Sequence, residues 1–130
     1  MYLDTDIILA LIKEEDWLKR YISLKDIKNP KTSALTIVEA ELVLLREYSR
    51  KNAIGVLNKI QNLGINILPI TAKTLNKSKE LLEKYNNLNI FDSVHAACAI
   101  LCKEKIISTD NIYSDLDELT KIDPREINKK

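Results

Sequence analysis

Short apolar runs alternate along this chain with longer stretches of helical periodicity, and that alternation limits the folds open to it. The runs are Met1–Leu3, Lys31–Leu35, Ile65–Ile70 and Ile106–Thr109, with a short fifth at Leu119–Ile122. Between them the spacing predicts helices over 5–13, from Glu14 to about Leu24, from Thr36 to about Arg50, over Asn52–Leu63, from Thr71 through about Tyr85, and over Ile90–Lys103. Thr36 is expected to cap its helix with Glu39 at the N3 place of a capping box, and Gly64 to end another. Ile37, Val38, Leu42, Leu45 and Tyr48 are expected to point inward. Strands that alternate with helices point to an α/β/α arrangement, with a parallel sheet of four or five strands covered on both faces. At 130 residues the chain fits a single domain, 1–130, with a core of ordinary size.

Acidic residues stand where several of these apolar segments end. Asp4 follows Met1-Tyr2-Leu3, Glu39 lies inside Thr36-Ile37-Val38-Glu39-Ala40, Asp92 follows Asn89-Ile90-Phe91, and Asp110 follows Ile106-Ile107-Ser108-Thr109. In open α/β sheets the carboxyl edge of the strands is where ligands bind. Four carboxylates in such contexts suit a hard divalent cation, because Mg²⁺ and Mn²⁺ prefer oxygen ligands and keep several waters. Such an ion activates water and neutralises charge on a phosphodiester. Glu41 stands about 200° around the helix from Glu39 and cannot face the same ion. Asp6 lies two residues beyond Asp4, and Thr109 precedes Asp110 with a hydroxyl that can orient a carboxylate or a water. The one histidine, His95, falls a helical turn after Asp92 and reads first as a hydrogen-bonded packing residue.

Composition removes several alternatives. Only two glycines are present, Gly55 and Gly64, so neither a P-loop nor a dinucleotide-binding turn can be built. No serine stands in a nucleophile-elbow context, and no Cys/His spacing favours zinc. A net charge of +1 gives no global attraction to nucleic acid, so a nucleic-acid partner has to be held by local basic patches. Arg46, Arg50 and Lys51 are candidates for one, although a solvated helix face explains them better. Cys98 and Cys102, four apart on one helix, read as free thiols of a reducing cytoplasm. No leader is expected ahead of a strand that starts at residue 1, and no apolar run approaches the ~20 residues of a membrane span.

Four blocks in order, Tyr2-Leu3-Asp4-Thr5-Asp6, Ser33-Ala34-Leu35-Thr36-Ile37-Val38-Glu39, Phe91-Asp92-Ser93-Val94-His95-Ala96-Ala97 and Ile107-Ser108-Thr109-Asp110-Asn111-Ile112-Tyr113, resemble the PIN-domain ribonucleases. Within that family the chain looks like the VapC-type toxins of toxin–antitoxin pairs. The resemblance implies an Mg²⁺- or Mn²⁺-dependent endoribonuclease with Asp4, Glu39, Asp92 and Asp110 as its catalytic and metal-binding acids. It adds Asp115 as a fifth candidate ligand, with RNA as substrate and an antitoxin protein as partner.

Two other readings compete. A PIN-like scaffold or RNA-binding subunit would lack catalysis, and Asp4-Thr5-Asp6 also resembles the start of haloacid-dehalogenase-like phosphatases, with Asp4 as nucleophile and Asp6 as general acid. A phosphoacceptor receiver domain needs an aspartate after its third strand, where this chain has Pro69-Ile70-Thr71. The helix over Ile37 to Tyr48 is apolar around most of its circumference, and Trp17, Leu18, Tyr21 and Ile22 follow a charged stretch. One sheet face cannot cover all of this, so a homodimer through the N-terminal helices is expected.

Overall fold

The computed structural model describes residues 1–127; residues 128–130, the end of the expected domain, lie outside the described residues. Five strands pair in parallel: β1 (Tyr2–Leu3), β2 (Lys31–Ser33), β3 (Asn66–Leu68), β4 (Ile106–Ile107) and β5 (Lys121–Ile122). Their order across the sheet is β3-β2-β1-β4-β5. The chain therefore walks one way from β1 through β3 and then returns to add β4 on the other side of β1. That reversal makes the gap between β1 and β4 the topological switch point, where an open α/β sheet leaves a crevice at its carboxyl edge.

Side chains alternate across so short a sheet and divide the core in two. Leu3 and Ile107 face α1 (Thr5–Ile12), α2 (Ala34–Glu47) and α4 (Val56–Asn62), packing with Ile7, Ile8, Ile37, Ala40, Leu44, Val56 and Ile60. Tyr2 and Ile106 face α5 (Ala72–Lys84) and α6 (Ile90–Leu101), where Leu81, Val94, Ala97 and Tyr113 complete the second core. The seven consecutive buried residues Ser93 to Ala99 are all small or medium in size and let α6 lie close to α5, with Ser78 Oγ and Ser93 Oγ 2.6 Å apart. The three-layer α/β/α arrangement expected from the alternation is the one observed.

Several local expectations differ. The stretch from Glu14 to Leu24 is not an α-helix but two 3₁₀ turns, Trp17–Arg20 and Leu24–Asp26. Asp16 caps the first by accepting from Leu18 N, and Ser23 interrupts the continuation. Helix α2 starts two residues before Thr36, directly after β2, so Thr36 is no cap. Thr36 is buried with its Oγ1 2.7 Å from Thr32 Oγ1, and Glu39 turns elsewhere. The inward face of α2 is Thr36, Ile37, Ala40 and Leu44, whereas Val38, Leu42, Leu45 and Tyr48 are exposed. An all-round apolar helix gives no periodic signal, and here the sheet contact chose Ile37 over its equally apolar neighbour. Residues 52–63 divide at Gly55 into α3 (Arg50–Ile54) and α4. Gly64, at φ 77°, ends α4 in the left-handed conformation that favours glycine. Thr71 caps α5 as expected, in a capping box closed by Thr74.

Candidate active site

Asp4 leaves β1 and becomes the N-cap of α1, with Oδ1 accepting from Thr5 N at 2.8 Å. Its Oδ2 accepts from Ser108 Oγ at 2.7 Å, and that same oxygen of Ser108 accepts from Asp110 N at 3.0 Å. One hydroxyl thus ties the acid after β1 to the backbone of the acid after β4, across the switch point. Asp110 Oδ1 in turn caps the 3₁₀ turn Asn111–Asp115 through Ile112 N. Asp6 makes a parallel tie, its Oδ2 accepting from Thr109 N at 2.9 Å and from Thr109 Oγ1 at 2.5 Å. Of the two roles open to the Thr109 hydroxyl, the structure shows it on a carboxylate, that of Asp6.

Asp92 enters from the first turn of α6, where Asn89 Oδ1 accepts from its backbone N–H at 2.8 Å. The Tyr113 hydroxyl lies 3.5 Å from Asp92 Oδ1, a long approach for a hydroxyl donor. Burial, then the charges of Asp110 and Asp4, hold the Asp92 carboxyl above its ordinary range. Burial and the charge of Asp4 do the same to Asp6. The Tyr113 phenol is pushed far up by burial and by the negative charges of Asp4, Asp92 and Asp110. Three acids from three separate chain segments therefore share one field.

Glu39, in the second turn of α2, accepts from Thr5 Oγ1 at 2.8 Å through Oε1 and meets His95 Nε2 with the same oxygen. Burial alone would raise its carboxyl, but the hydrogen bond and charge of His95 and the bond from Thr5 outweigh it, and the group lies below its usual value. His95 is 2% exposed, with Nε2 3.8 Å from Asp4 Oδ1. Burial pulls the imidazole down, yet the bond to Glu39 and the charges of Asp4, Glu39 and Asp92 leave it raised. Glu41 looks away from this place, lining a groove with Val38, Leu42, Leu45, Arg50 and Ile54. Asp115 is exposed at the end of its turn and bonds to none of these acids. Thr5, Ser108 and Tyr113 make contacts to these acids that spacing alone does not single out. Their signal was adjacency, since each lies in a block that also holds an acid.

Among the described residues no lysine or arginine is ion-paired with Asp4, Asp6, Asp92 or Asp110. Nor do any three Asp, Glu, His or Cys side chains among them close into a ready ligand set. Oxygen donors with uncompensated charge and few protein ligands match the demands of Mg²⁺ or Mn²⁺, which fill their octahedra largely with water. The donor chemistry fits a hard divalent cation.

No curated protein sequence matches this chain. Solved structures do, with closely similar folds. The sarcin–ricin-loop-cleaving VapC toxin of Mycobacterium tuberculosis superposes with a TM-score of 0.73 at 16% identity, over 87% of this chain and 92% of that one. A DNA-bound VapBC of Salmonella typhimurium gives 0.75 at 14%, over 95% and 96%. A toxin–antitoxin complex of Klebsiella pneumoniae gives 0.71 at 17%, again over 95% and 96%. At such identities the shared property is the fold. The sequence itself matches the PIN domain over residues 1–119, a span that contains every acid described above, and the chain therefore belongs to the PIN-domain family.

Proposed function

We propose that this protein is a divalent-metal-dependent endoribonuclease that hydrolyses RNA phosphodiester bonds, and the toxin of a toxin–antitoxin pair acting in the cytoplasm. The observation that carries the reading is the shared field of Asp4, Asp92 and Asp110 beside the switch point, with no lysine or arginine among the described residues paired to them. Membership of the PIN-domain family supports the nuclease reading, and the similar structures include a toxin–antitoxin complex and a DNA-bound VapBC. Membership of the PIN family leaves the phosphatase reading without support. Asp6 in addition is fully engaged, by Ile7 N on one oxygen and Thr109 on the other.

Asp4, Asp92 and Asp110 would hold the ion, with Glu39 reaching it through Oε2, which accepts no hydrogen bond from the described residues. Bound there, a divalent cation supplies an activated water and offsets the negative charge that grows on the phosphodiester. The protein's own contribution is orientation. Ser108 holds Asp4 and Asp110 to one another, and Thr109 fixes Asp6 behind them. Asp115, exposed and unattached to the others, would join only as an outer ligand. The apolar outer face of α2 and α3, with Val38, Leu42 and Ile54 exposed, is where a second copy docks and where an antitoxin segment shares the surface.

Cleavage of a structured RNA by the purified protein in Mn²⁺ buffer, abolished by EDTA and restored by excess Mn²⁺, is the expected result. A well-folded protein that binds RNA but leaves it intact in Mn²⁺ would overturn this reading in favour of a non-catalytic PIN-like scaffold.

A further inference from the structure

Behind the acids lies a buried chain of polar side chains that metal binding and hydrolysis do not by themselves require. His95 Nε2 meets Glu39 Oε1, and His95 Nδ1 lies 2.7 Å from the Tyr2 hydroxyl. That hydroxyl donates to Ser33 Oγ at 2.7 Å. Tyr2 and Ser33 are wholly buried, in β1 and at the end of β2. The imidazole is thus gripped on its far side by the sheet and touches the site only through Nε2. We propose that His95 is the positioning residue for Glu39. With Thr5 Oγ1 it occupies Oε1 and leaves Oε2 as the single oxygen Glu39 offers to a metal ion.

The geometry gives this role a physical reason. A glutamate side chain is long, and a carboxylate swinging freely over several rotamers loses ordering entropy each time it binds an ion. Holding one oxygen with two donors removes that cost and dictates one-oxygen coordination. Loss of a partner that orients a ligating carboxylate typically costs about 10–100-fold in metal affinity or activity. His95 also lies three residues after Asp92 on α6. One helical turn therefore sets where Glu39 of α2 stands relative to Asp92, while Tyr2 sets both relative to β1 and Asp4. A histidine that served only to pack would need the shape of its ring. Here both ring nitrogens have polar partners, and among the described residues no buried side-chain polar atom is left without one.

The inference rests on Glu39 belonging to the metal site, and two substitutions separate hydrogen bonding from packing. His95→Phe keeps a ring without a donor. His95→Gln loses the ring but keeps an N–H close to the position of Nε2. Four quantities are measured on each protein: Tm, the Mn²⁺ dissociation constant by calorimetry without RNA, and kcat and KM for RNA cleavage. His95→Phe is expected to weaken Mn²⁺ binding or kcat by about 10–100-fold while KM changes little. His95→Gln is expected to return to within roughly threefold of wild type. A His95→Phe protein with wild-type Mn²⁺ affinity and kcat would overturn the proposal. So would a folded His95→Gln protein as impaired as His95→Phe.

The chain has one histidine, so its imidazole ¹⁵N spectrum holds a single pair of signals and serves even if His95→Phe does not fold. Glu39→Gln and Tyr2→Phe are each expected to move the imidazole signals, because the Glu39 carboxylate at Nε2 and the Tyr2 hydroxyl at Nδ1 together fix which ring nitrogens carry protons. Spectra unchanged in both variants would refute the contact. A wild type that cleaves no RNA would refute the nuclease reading, while the Mn²⁺ titration and the nitrogen signals still decide the role of His95.

Discussion

Asp92 and Glu41 are both acids on helices, and their surroundings assign them opposite consequences. Asp92 is half-buried beside Asp4 and Asp110, so Asp92→Asn removes a charged ligand at nearly constant shape. RNA cleavage is expected to fall by at least about 100-fold, and Asp4→Asn by a similar factor, since neutral amides are poor ligands for hard cations. Glu41→Gln is expected to keep most activity, because its side chain joins the groove with Val38 and Leu42. Initial rates in Mn²⁺ buffer check all three, and wild-type cleavage by Asp4→Asn would remove Asp4 from the site. The cysteines make a second residue-scale case. Burial pushes the Cys98 thiol up to about 11, so almost none of it is thiolate near neutrality. Alkylation of Cys98 at pH 8 is expected only after denaturant is added, and rapid modification of the native protein, located by peptide mass, would contradict the packing around α6.

At the scale of elements, α2 shows how one helix can serve two surfaces. Leu44 is 2% exposed against α1 and α4, whereas Leu42, two residues before it, is 54% exposed. Leu44→Ala is expected to cost about 2–5 kcal/mol, the transfer and cavity loss of a core leucine. Leu42→Ser is expected to stay within about 0.5 kcal/mol for the isolated chain. The same Leu42→Ser change is expected to weaken self-association if the outer face of α2 and α3 is the dimer contact. Sedimentation at tens of micromolar, run beside chemical denaturation, reads both effects. A wild-type monomer there, unmoved by an antitoxin peptide, would contradict the assignment of this face.

At the scale of the whole molecule, the site's charges set how stability responds to pH and metal. The carboxyls of Asp6 and Asp92 lie above their ordinary value of 3.8. Each binds its proton more tightly folded than unfolded, so each weakens the fold as pH rises past that value, and the penalty is absent below it, where both states are protonated. Glu39 and Asp123 act in the opposite sense. Asp123, held at about 2 chiefly by its hydrogen bonds from Arg125, contributes stability above 3.8 that is lost as pH falls toward 2. Arg125 is exposed, so solvent screens the pair and its contribution is small. A cation that binds only the folded state should offset the repulsion at the site. At ten times its dissociation constant it adds about 1.4 kcal/mol, roughly 3–6 °C in Tm for a chain of this size. Asp110→Asn is expected to raise Tm in EDTA at pH 7.5 and to shrink the Mn²⁺ shift. Equal Mn²⁺ shifts in mutant and wild type would place Asp110 outside the metal site.

The sequence by itself determined the architecture, because strand runs too short and too apolar for anything but a covered parallel sheet alternate with helices, and the alternation survives errors of a few residues at each boundary. It also marked Asp4 and Asp110 as strand-end acids, a property of local order alone. Tertiary structure decided everything that depended on which side of a helix meets the sheet. The inward face of α2 could not be read from a helix apolar on nearly every side, and residues 14–24 gave up their helix to a cap at Asp16 and to extended backbone at Ser23. It also decided what the polar neighbours do. Thr36 and Glu39 look like a capping box over four residues, yet Glu39 is claimed by Thr5 from 34 residues away and by His95 from 56. Local spacing names a candidate partner. Only folding reveals which distant group offers the better hydrogen bond once water is excluded.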